Sequence, residues 1–173
     1  MAWAHADEMR LGLHGQVRRV WAPRGVKVRQ RKQIAYAWTY LALAVDGQRG
    51  TVRWTWLPTV RKEALAPVVA AWQAAGLAAV VWDSSGSHRA HLVRAVGLPL
   101  IALPPYAPDC NPAERVFAEI RRASEGRVYA DLDAKRAVAD ALLTELAADP
   151  ARVRRLTNWD WIAAAENALR LQE

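Results

Sequence analysis

The sequence is poor in the features that mark secreted, membrane-embedded and disulfide-stabilised proteins. Among its 173 residues only Cys110 is a cysteine, which excludes a disulfide framework and predicts a cytosolic compartment. No apolar run approaches the ~20 residues that a membrane-spanning helix needs. Residues 1–10 lack the apolar stretch and cleavage pattern of a signal peptide, and there is no internal repeat or low-complexity segment. These absences predict an intracellular globular protein.

Apolar residues and arginine are what the sequence has in abundance. Hydrophobic residues make up 53% of it, which indicates a folded protein, and its length suits one domain with a real core. Lysine and arginine number 24 against 17 acidic residues, so the formal net charge is +7. This excess predicts a polyanionic partner, most simply nucleic acid, and the alternative is a basic protein that is merely soluble.

The hydrophobic pattern places strands first and helices last. A short strand over residues 2–6 leads into Asp7 and Glu8, a hairpin spans 11–21, and strands over 33–45 and 51–57 flank a turn at Asp46-Gly47. The later elements are a helix over 61–75, a strand over 77–82, a helix over 88–96, a strand over 98–103 and helices over 112–122, 131–148 and 151–171. This order predicts an α/β fold, in which a mixed sheet is flanked by helices on both faces and followed by C-terminal helices.

A rigid loop follows the strand predicted over 98–103. Four prolines stiffen it and remove backbone donors: Pro104, Pro105, Pro108 and Pro112. Asn111 is the predicted N-cap of the next helix, with Pro112 at its first position. Glu114 falls in the first turn, where the helix dipole favours a carboxylate. The sequence therefore fixes a carboxylate just beyond the end of a buried strand.

Two more acids occupy matching places. Asp7 ends the first predicted strand, and Asp83 ends the apolar strand over 77–82. Polar groups at strand ends and helix starts of an α/β sheet converge in one crevice, so we expect both to lie near Glu114. Three carboxylates suit Mg²⁺ or Mn²⁺ rather than zinc. Two such ions about 3.5–4 Å apart can activate a water or hydroxyl and stabilise a leaving oxygen at a phosphodiester.

Two segments resemble the catalytic core of the IS630/Tc1/mariner transposases. They are Asp-Ser-Ser-Gly-Ser-His over 83–88 and Pro-Tyr-Ala-Pro-Asp-Cys-Asn-Pro-Ala-Glu over 105–114, against the family pattern Asp-Asn-x-x-x-His and Tyr-Ser-Pro-Asp-Leu-Asn-Pro-Ile-Glu. Residues 7–8, 19–25 and 158–161 extend the resemblance over nearly the whole chain. It implies an RNase H-like fold and a DDE triad of Asp7, Asp83 and Glu114. It further implies two divalent ions, Mg²⁺ or Mn²⁺, that serve strand cleavage and strand transfer at transposon DNA ends.

The resemblance also carries expectations about partners. Members of this family act on DNA as dimers, which implies a homodimer on DNA in the bacterial cytoplasm or nucleoid. Ser84, Cys110 and Ala113 stand where the family usually has Asn, Leu and Ile, and none of these departures removes a metal ligand. The family's helix-turn-helix DNA-binding module has no counterpart in these residues. We expect either a separately encoded subunit that supplies it, or a decayed or domesticated fragment.

Two pairs of acids compete for places in the triad. Side chains alternate along a strand, so only one of Asp7 and Glu8 faces the crevice, and Asp7 is the predicted ligand. Glu119 is the rival of Glu114, but it lies one and a half helical turns onward on a face predicted to meet solvent. Asp109 is expected to order its own loop by bonding to nearby backbone.

The predicted DNA contacts come from a basic run and one histidine. The run comprises Lys27, Arg29, Arg31 and Lys32; its alternative role is an ordinary solvated face. His88 either contacts a phosphate or the substrate, or is only a helix-start residue. Arg152, Arg154 and Arg155 are weaker candidates for phosphate contacts. The rival functions are a non-catalytic basic DNA-binding fragment and an RNase H-like nuclease acting on RNA.

Overall fold

A five-stranded mixed sheet organises the computed structural model, which describes residues 2–16, 21–105 and 107–170. The strands are β1 (Trp3–Gly12), β2 (Trp38–Asp46), β3 (Thr51–Leu57), β4 (Ala79–Trp82) and β5 (Leu100–Ala102). Their order in the sheet is β3-β2-β1-β4-β5; β1 pairs antiparallel with β2 and parallel with β4. The predicted α/β mixed sheet is therefore confirmed.

Helices cover both faces of this sheet. They are α1 (Lys62–Ala74), α2 (His91–Arg94), α3 (Ala113–Ser124), α4 (Leu132–Ala148), α5 (Pro150–Thr157) and α6 (Asp160–Arg170). One core joins α1 to the sheet, and a second core joins α3, α4 and α5 to the opposite face. No helix of the described residues is both long and apolar enough to cross a membrane.

Strand β1 contributes side chains to both hydrophobic cores because successive side chains point to opposite faces of the sheet. Ala4 and Ala6 pack in the core under α1, whereas Met9 and Leu11 pack in the core under α3 and α4. Asp7 therefore shares the face that carries α3. Glu8 points to the opposite face, so the two neighbouring acids have different surroundings.

The first strand and the hairpin after it were predicted wrongly. The structure continues β1 to Gly12, so Asp7 lies in mid-strand rather than at a strand end. Among the described residues of 11–21, β1 has no local hairpin partner. It pairs instead with β2, from His5 opposite Val45 to Gly12 opposite Trp38. This longer ladder leaves residues 21–37 as irregular chain, while residues 17–20 of the predicted hairpin lie outside the described residues.

The predicted helices differ from the observed ones mainly at their ends. The helix over 88–96 shrinks to α2, and the helix over 151–171 is two helices that meet around Asn158. Leu171, the predicted end, lies outside the described part of the chain. α3 begins at Ala113 with Pro112 at the cap position, one residue later than predicted. In contrast, β3 has the predicted bounds.

Gly50 lets the turn between β2 and β3 pack closely against the start of α5. Gly50 has φ +71°, and a Cβ at that position would lie 2.1 Å from the Pro150 carbonyl oxygen. Only glycine accepts both the left-handed backbone and this close approach. The sheet turn therefore fixes the start of α5, which packs with α3 in the second core.

Candidate active site

Asp7, Asp83 and Glu114 line a single cleft of about 700 Å³. Asp7 projects from β1, Asp83 follows the last residue of β4, and Glu114 lies in the first turn of α3. The loops after β4 and β5 supply most of the other walls, whose lining residues include Ser84, Ser85, Arg89, Pro104, Pro105 and Asn111. The fold thus brings together three carboxylates that are separated by up to 107 residues of sequence.

Asn111 anchors the first of these carboxylates. Its amide nitrogen donates to Asp7 Oδ2 at 3.1 Å and to the Ala6 carbonyl at 2.9 Å. Its Oδ1 accepts the Ala113 N–H at 3.1 Å, which satisfies one donor at the start of α3. The side chain is buried, with only 4% of the residue exposed. The cap position is Pro112 rather than the predicted Asn111, but the Asn111 side chain still supports the helix start. It also ties that start to β1, which the sequence did not indicate.

The pKa of Asp7 is raised from 3.8 to about 7. Burial is the largest cause because it disfavours the charged form, and the carboxylates of Glu8, Glu114 and Asp83 add like-charge repulsion. The Glu8 N–H, which donates to Asp7 Oδ1 at 2.8 Å, opposes the rise. Two of the three repelling charges are the other cleft acids, so the three carboxylates form one electrostatic unit.

Asp83 is held from the side of its own loop. Its Oδ1 accepts the Ser85 N–H at 2.8 Å and lies 2.6 Å from His88 Nδ1. The rest of the carboxylate is open, since 55% of the side chain is exposed. Asp83 is therefore oriented by two internal partners while it still faces the cleft.

Glu114 has a cationic partner on its own helix. Arg121 Nη1 donates to Glu114 Oε2 at 3.2 Å, and the two side chains are 35% and 37% exposed. A separation of seven residues is two helical turns, so helical spacing could have identified this pair. Arg121 offsets part of the negative charge that accumulates in the cleft.

His88, a predicted phosphate or substrate contact, is buried in the turn that precedes α2, and that contact stays a prediction. Only 3% of the residue is exposed, and its ring stacks on Trp82 with centroids 3.8 Å apart and an angle of 20°. Its Nε2 lies 3.0 Å from Glu8 Oε2. Burial lowers the pKa of His88, but the hydrogen bond to Glu8 and the charges of Glu8 and Asp83 outweigh it, so the net pKa is raised. The aromatic packing against Trp82 explains why this residue is inside.

The two rival acids lie away from the cleft. Glu8, on the α1 face, bonds to His88, and Glu119 pairs with Arg122 on α3. Neither residue lines the cleft that contains the other three acids. Asp109 is exposed in a short 3-10 turn over Pro108–Cys110 and is also not part of the cleft wall.

The basic run lies in the irregular segment between β1 and β2. Lys27, Arg29, Arg31 and Lys32 are all exposed, and none of them forms an ion pair with another described residue. The weaker candidates are more engaged: Arg152 pairs with Glu145 at 3.4 Å, and Arg154 donates to the Arg49 carbonyl at 3.1 Å. The cations of the basic run thus have fewer contacts within the described protein than Arg152 and Arg154 have.

The cleft's donors fit a divalent cation of the Mg²⁺ or Mn²⁺ type. Carboxylate oxygens are the hard ligands that these ions prefer. The repulsion that raises the pKa of Asp7 is the kind that a bound cation would relieve. Within the described ranges, no group of three His, Cys, Asp or Glu side chains is already gathered closely enough to hold a metal ion. The fit therefore rests on the chemistry of the donors and on their shared cleft.

The described strand order and the helices on both faces define an RNase H-like fold with an acidic cleft. The model of the family described as DDE superfamily endonuclease matches residues 3–134. The chain belongs to that family, in agreement with the resemblance found in its sequence. A search of curated proteins finds no significant match.

Solved structures of a mariner transposase have the same fold. A Mos1 transposase paired-end complex with the left transposon end is 18% identical with TM-score 0.66; the match covers 91% of this chain and 51% of that one. The Mos1 strand transfer complex is 19% identical with TM-score 0.66 and the same two coverages. A Mos1 paired-end complex with Mn is 14% identical with TM-score 0.64, covering 94% and 55%. The chain spans about half the length of these transposases.

Proposed function

We propose that this chain is a transposase catalytic domain that cleaves DNA strands at transposon ends and transfers them, with divalent metal ions. The convergence of Asp7, Asp83 and Glu114 in one cleft carries this proposal. Membership of the DDE endonuclease family supports it. The similar Mos1 structures, which include a complex with a transposon end and a strand transfer complex, favour DNA as the substrate.

Each cleft residue has a distinct part in this proposal. Asp7, Asp83 and Glu114 hold two ions, either Mg²⁺ or Mn²⁺. When bound, the ions supply a nucleophile at neutral pH and neutralise charge on the scissile phosphate. Asn111 keeps the Asp7 carboxylate oriented, and Arg121 limits the free charge on Glu114. The nucleophile is first a water and then a 3′-hydroxyl of DNA.

DNA contacts outside the cleft come from the basic run. Lys27, Arg29, Arg31 and Lys32 are exposed, and they are the residues we assign to phosphate contact. Arg89 lines the cleft itself and is exposed, so it can meet a phosphate next to the acids. A homodimer on paired DNA ends, and a separately encoded helix-turn-helix subunit that selects those ends, complete the proposal.

Metal-dependent nicking of supercoiled plasmid tests the assignment. Wild-type protein should nick with Mg²⁺ or Mn²⁺ and not with EDTA, and Asp83→Ala should abolish nicking while circular dichroism stays unchanged. Nicking at the wild-type rate by Asp83→Ala would contradict the proposal. Calorimetric titration with Mn²⁺ addresses the non-catalytic alternative, which predicts no binding that depends on the three acids. Preference for RNA–DNA hybrids over DNA would favour the RNase H-like alternative.

A further inference from the structure

Three side chains in contact, Glu8, His88 and Asp83, connect the α1 face of the sheet to the rim of the cleft. Glu8 Oε2 lies 3.0 Å from His88 Nε2. His88 Nδ1 lies 2.6 Å from Asp83 Oδ1 and 3.2 Å from the Asp83 main-chain carbonyl oxygen. The side chains of His88 and Glu8 are only 4% and 11% exposed. His88 Nε2 thus faces the Glu8 carboxylate, Nδ1 faces both the carboxylate and the main-chain carbonyl of Asp83, and one ring face is covered by Trp82.

This arrangement fixes the histidine more firmly than the acid at its outer end. The Trp82 stack sets the plane of the ring, and Glu8 sets its rotation within that plane. Asp83 is the first residue after β4. Among the described residues its carboxylate accepts a hydrogen bond from the Ser85 N–H and makes a close ion-pair contact with His88 Nδ1. Without the histidine, a side chain that is 55% exposed would be free to rotate away from the cleft.

We propose that Glu8 and His88 are positioning residues that hold the Asp83 carboxylate in its metal-ligating orientation. The inference rests on the proposed function, because it assumes that Asp83 is a ligand. Partners of ligating carboxylates commonly change metal affinity by about 10- to 100-fold when they are removed. Glu8 thus acts through His88 from the opposite face of the strand that carries Asp7, without touching the metal.

Two amide substitutions at one position separate positioning from a merely structural role. The side-chain nitrogen of Asn lies near the place of the histidine Nδ1, so His88→Asn can still donate to Asp83. The longer side chain of Gln places its nitrogen near the place of Nε2, so His88→Gln keeps the contact with Glu8 and loses the contact with Asp83. Both variants give up the ring that stacks on Trp82, which makes them matched in their cost to packing.

Mn²⁺ titration of the full chain by calorimetry, with urea unfolding as the control for folding, tests the inference. We expect His88→Gln to weaken Mn²⁺ binding by about 10- to 100-fold and His88→Asn to stay within about threefold of wild type. Equal affinities for the two variants, whether both are normal or both are weakened, would overturn the positioning role. Asp83→Ala, measured alongside, should abolish that binding site. If Asp83→Ala binds Mn²⁺ like wild type, the proposed function itself is wrong.

Discussion

Asn111 donates a hydrogen bond to the Asp7 carboxylate across 104 residues of sequence. The same amide nitrogen donates to the Ala6 carbonyl, and the amide oxygen accepts the Ala113 N–H. One buried side chain therefore joins the strand that carries Asp7 to the helix that carries Glu114. This relationship makes the relative placement of two cleft acids a property of the folded core rather than of a surface loop.

Removing Asn111 should affect stability and the cleft together. Asn111→Ala leaves the buried Ala6 carbonyl and the Ala113 N–H without this partner, which should lower the free energy of unfolding by about 1–3 kcal/mol. The loss of the donor to Asp7 should also slow metal-dependent cleavage by about 10- to 100-fold. Urea unfolding and plasmid nicking measure the two effects. Asn167→Ala on α6 is the matched control; unchanged nicking by Asn111→Ala would contradict the anchoring role.

The raised pKa of Asp7 makes the metal-free protein sensitive to pH. The folded state holds a proton on Asp7 up to a pKa of about 7, whereas the unfolded chain releases it near 3.8. The ionised carboxylate therefore costs stability that grows as pH rises from 3.8 to 7 and is absent below that window. Asp7→Asn should be as stable as wild type at pH 3.5. At pH 8 without metal it should be more stable by about 2–4 kcal/mol.

The same substitution should reverse its effect when metal is present. Excess Mn²⁺ binds only the folded wild type, so it should raise the wild-type unfolding free energy at pH 8 and leave Asp7→Asn nearly unchanged. Chemical unfolding at both pH values, with EDTA or with Mn²⁺, makes the comparison. A wild type that is already more stable than Asp7→Asn at pH 8 in EDTA would refute the like-charge account of the cleft.

Local pattern was sufficient for part of this fold. The alternation of Val52, Trp54 and Trp56 gave β3 its observed bounds, and the apolar run up to Trp82 gave a strand buried on both faces. Which strands pair with each other could not be predicted from the local sequence. The residues after Leu11 suggested a short hairpin, but β1 gains a longer ladder with β2. A pattern in the sequence shows which residues are apolar but not which distant strand they meet.

The candidate site was predictable to a similar degree. Positions after strands and at a helix start indicated Asp83 and Glu114, and the structure places both in one cleft with Asp7. The contacts that support the site could not be predicted from the sequence, because Glu8 and His88, which are in contact, are 80 residues apart. Nothing in the sequence around His88 reveals that its ring stacks on Trp82. That contact depends on how the loop after β4 folds back.

Asp140 joins α4 to β3 by accepting two indole N–H groups. Its Oδ1 lies 2.9 Å from Trp54 Nε1 and 2.8 Å from Trp56 Nε1. Asp140→Ala should lower the free energy of unfolding by about 1.5–3 kcal/mol, because two half-buried donors lose a charged acceptor. Mn²⁺ affinity should not change, since the residue lies outside the cleft. Asp133→Ala, an exposed acid on the same helix, should cost less than about 0.5 kcal/mol; equal costs in urea unfolding would contradict the bridge.

The basic run should set the salt dependence of DNA binding. Replacing Lys27, Arg29, Arg31 and Lys32 with alanine should reduce the slope of log affinity against log salt by about 3.6, because each phosphate contact contributes about 0.9. Fluorescence anisotropy with a duplex at several salt concentrations measures this slope. Arg152→Ala with Arg154→Ala is the control pair, because these side chains are engaged within the protein. An unchanged slope for the fourfold variant would show that the run is only a solvated face.

The proposed function requires that the three cleft acids, and not their neighbours, support metal-dependent DNA cleavage. Glu114→Gln and Glu119→Gln make the same chemical change on the same helix, one inside the cleft and one outside it. The most direct test is the rate of Mn²⁺-dependent plasmid nicking by the two variants and wild type. We expect Glu114→Gln to lose about a thousandfold or more of the rate, as happens when a group that acts as part of a catalytic unit is removed. We expect a near wild-type rate for Glu119→Gln. Equal rates for the two variants, or a larger loss for Glu119→Gln, would contradict the proposed function.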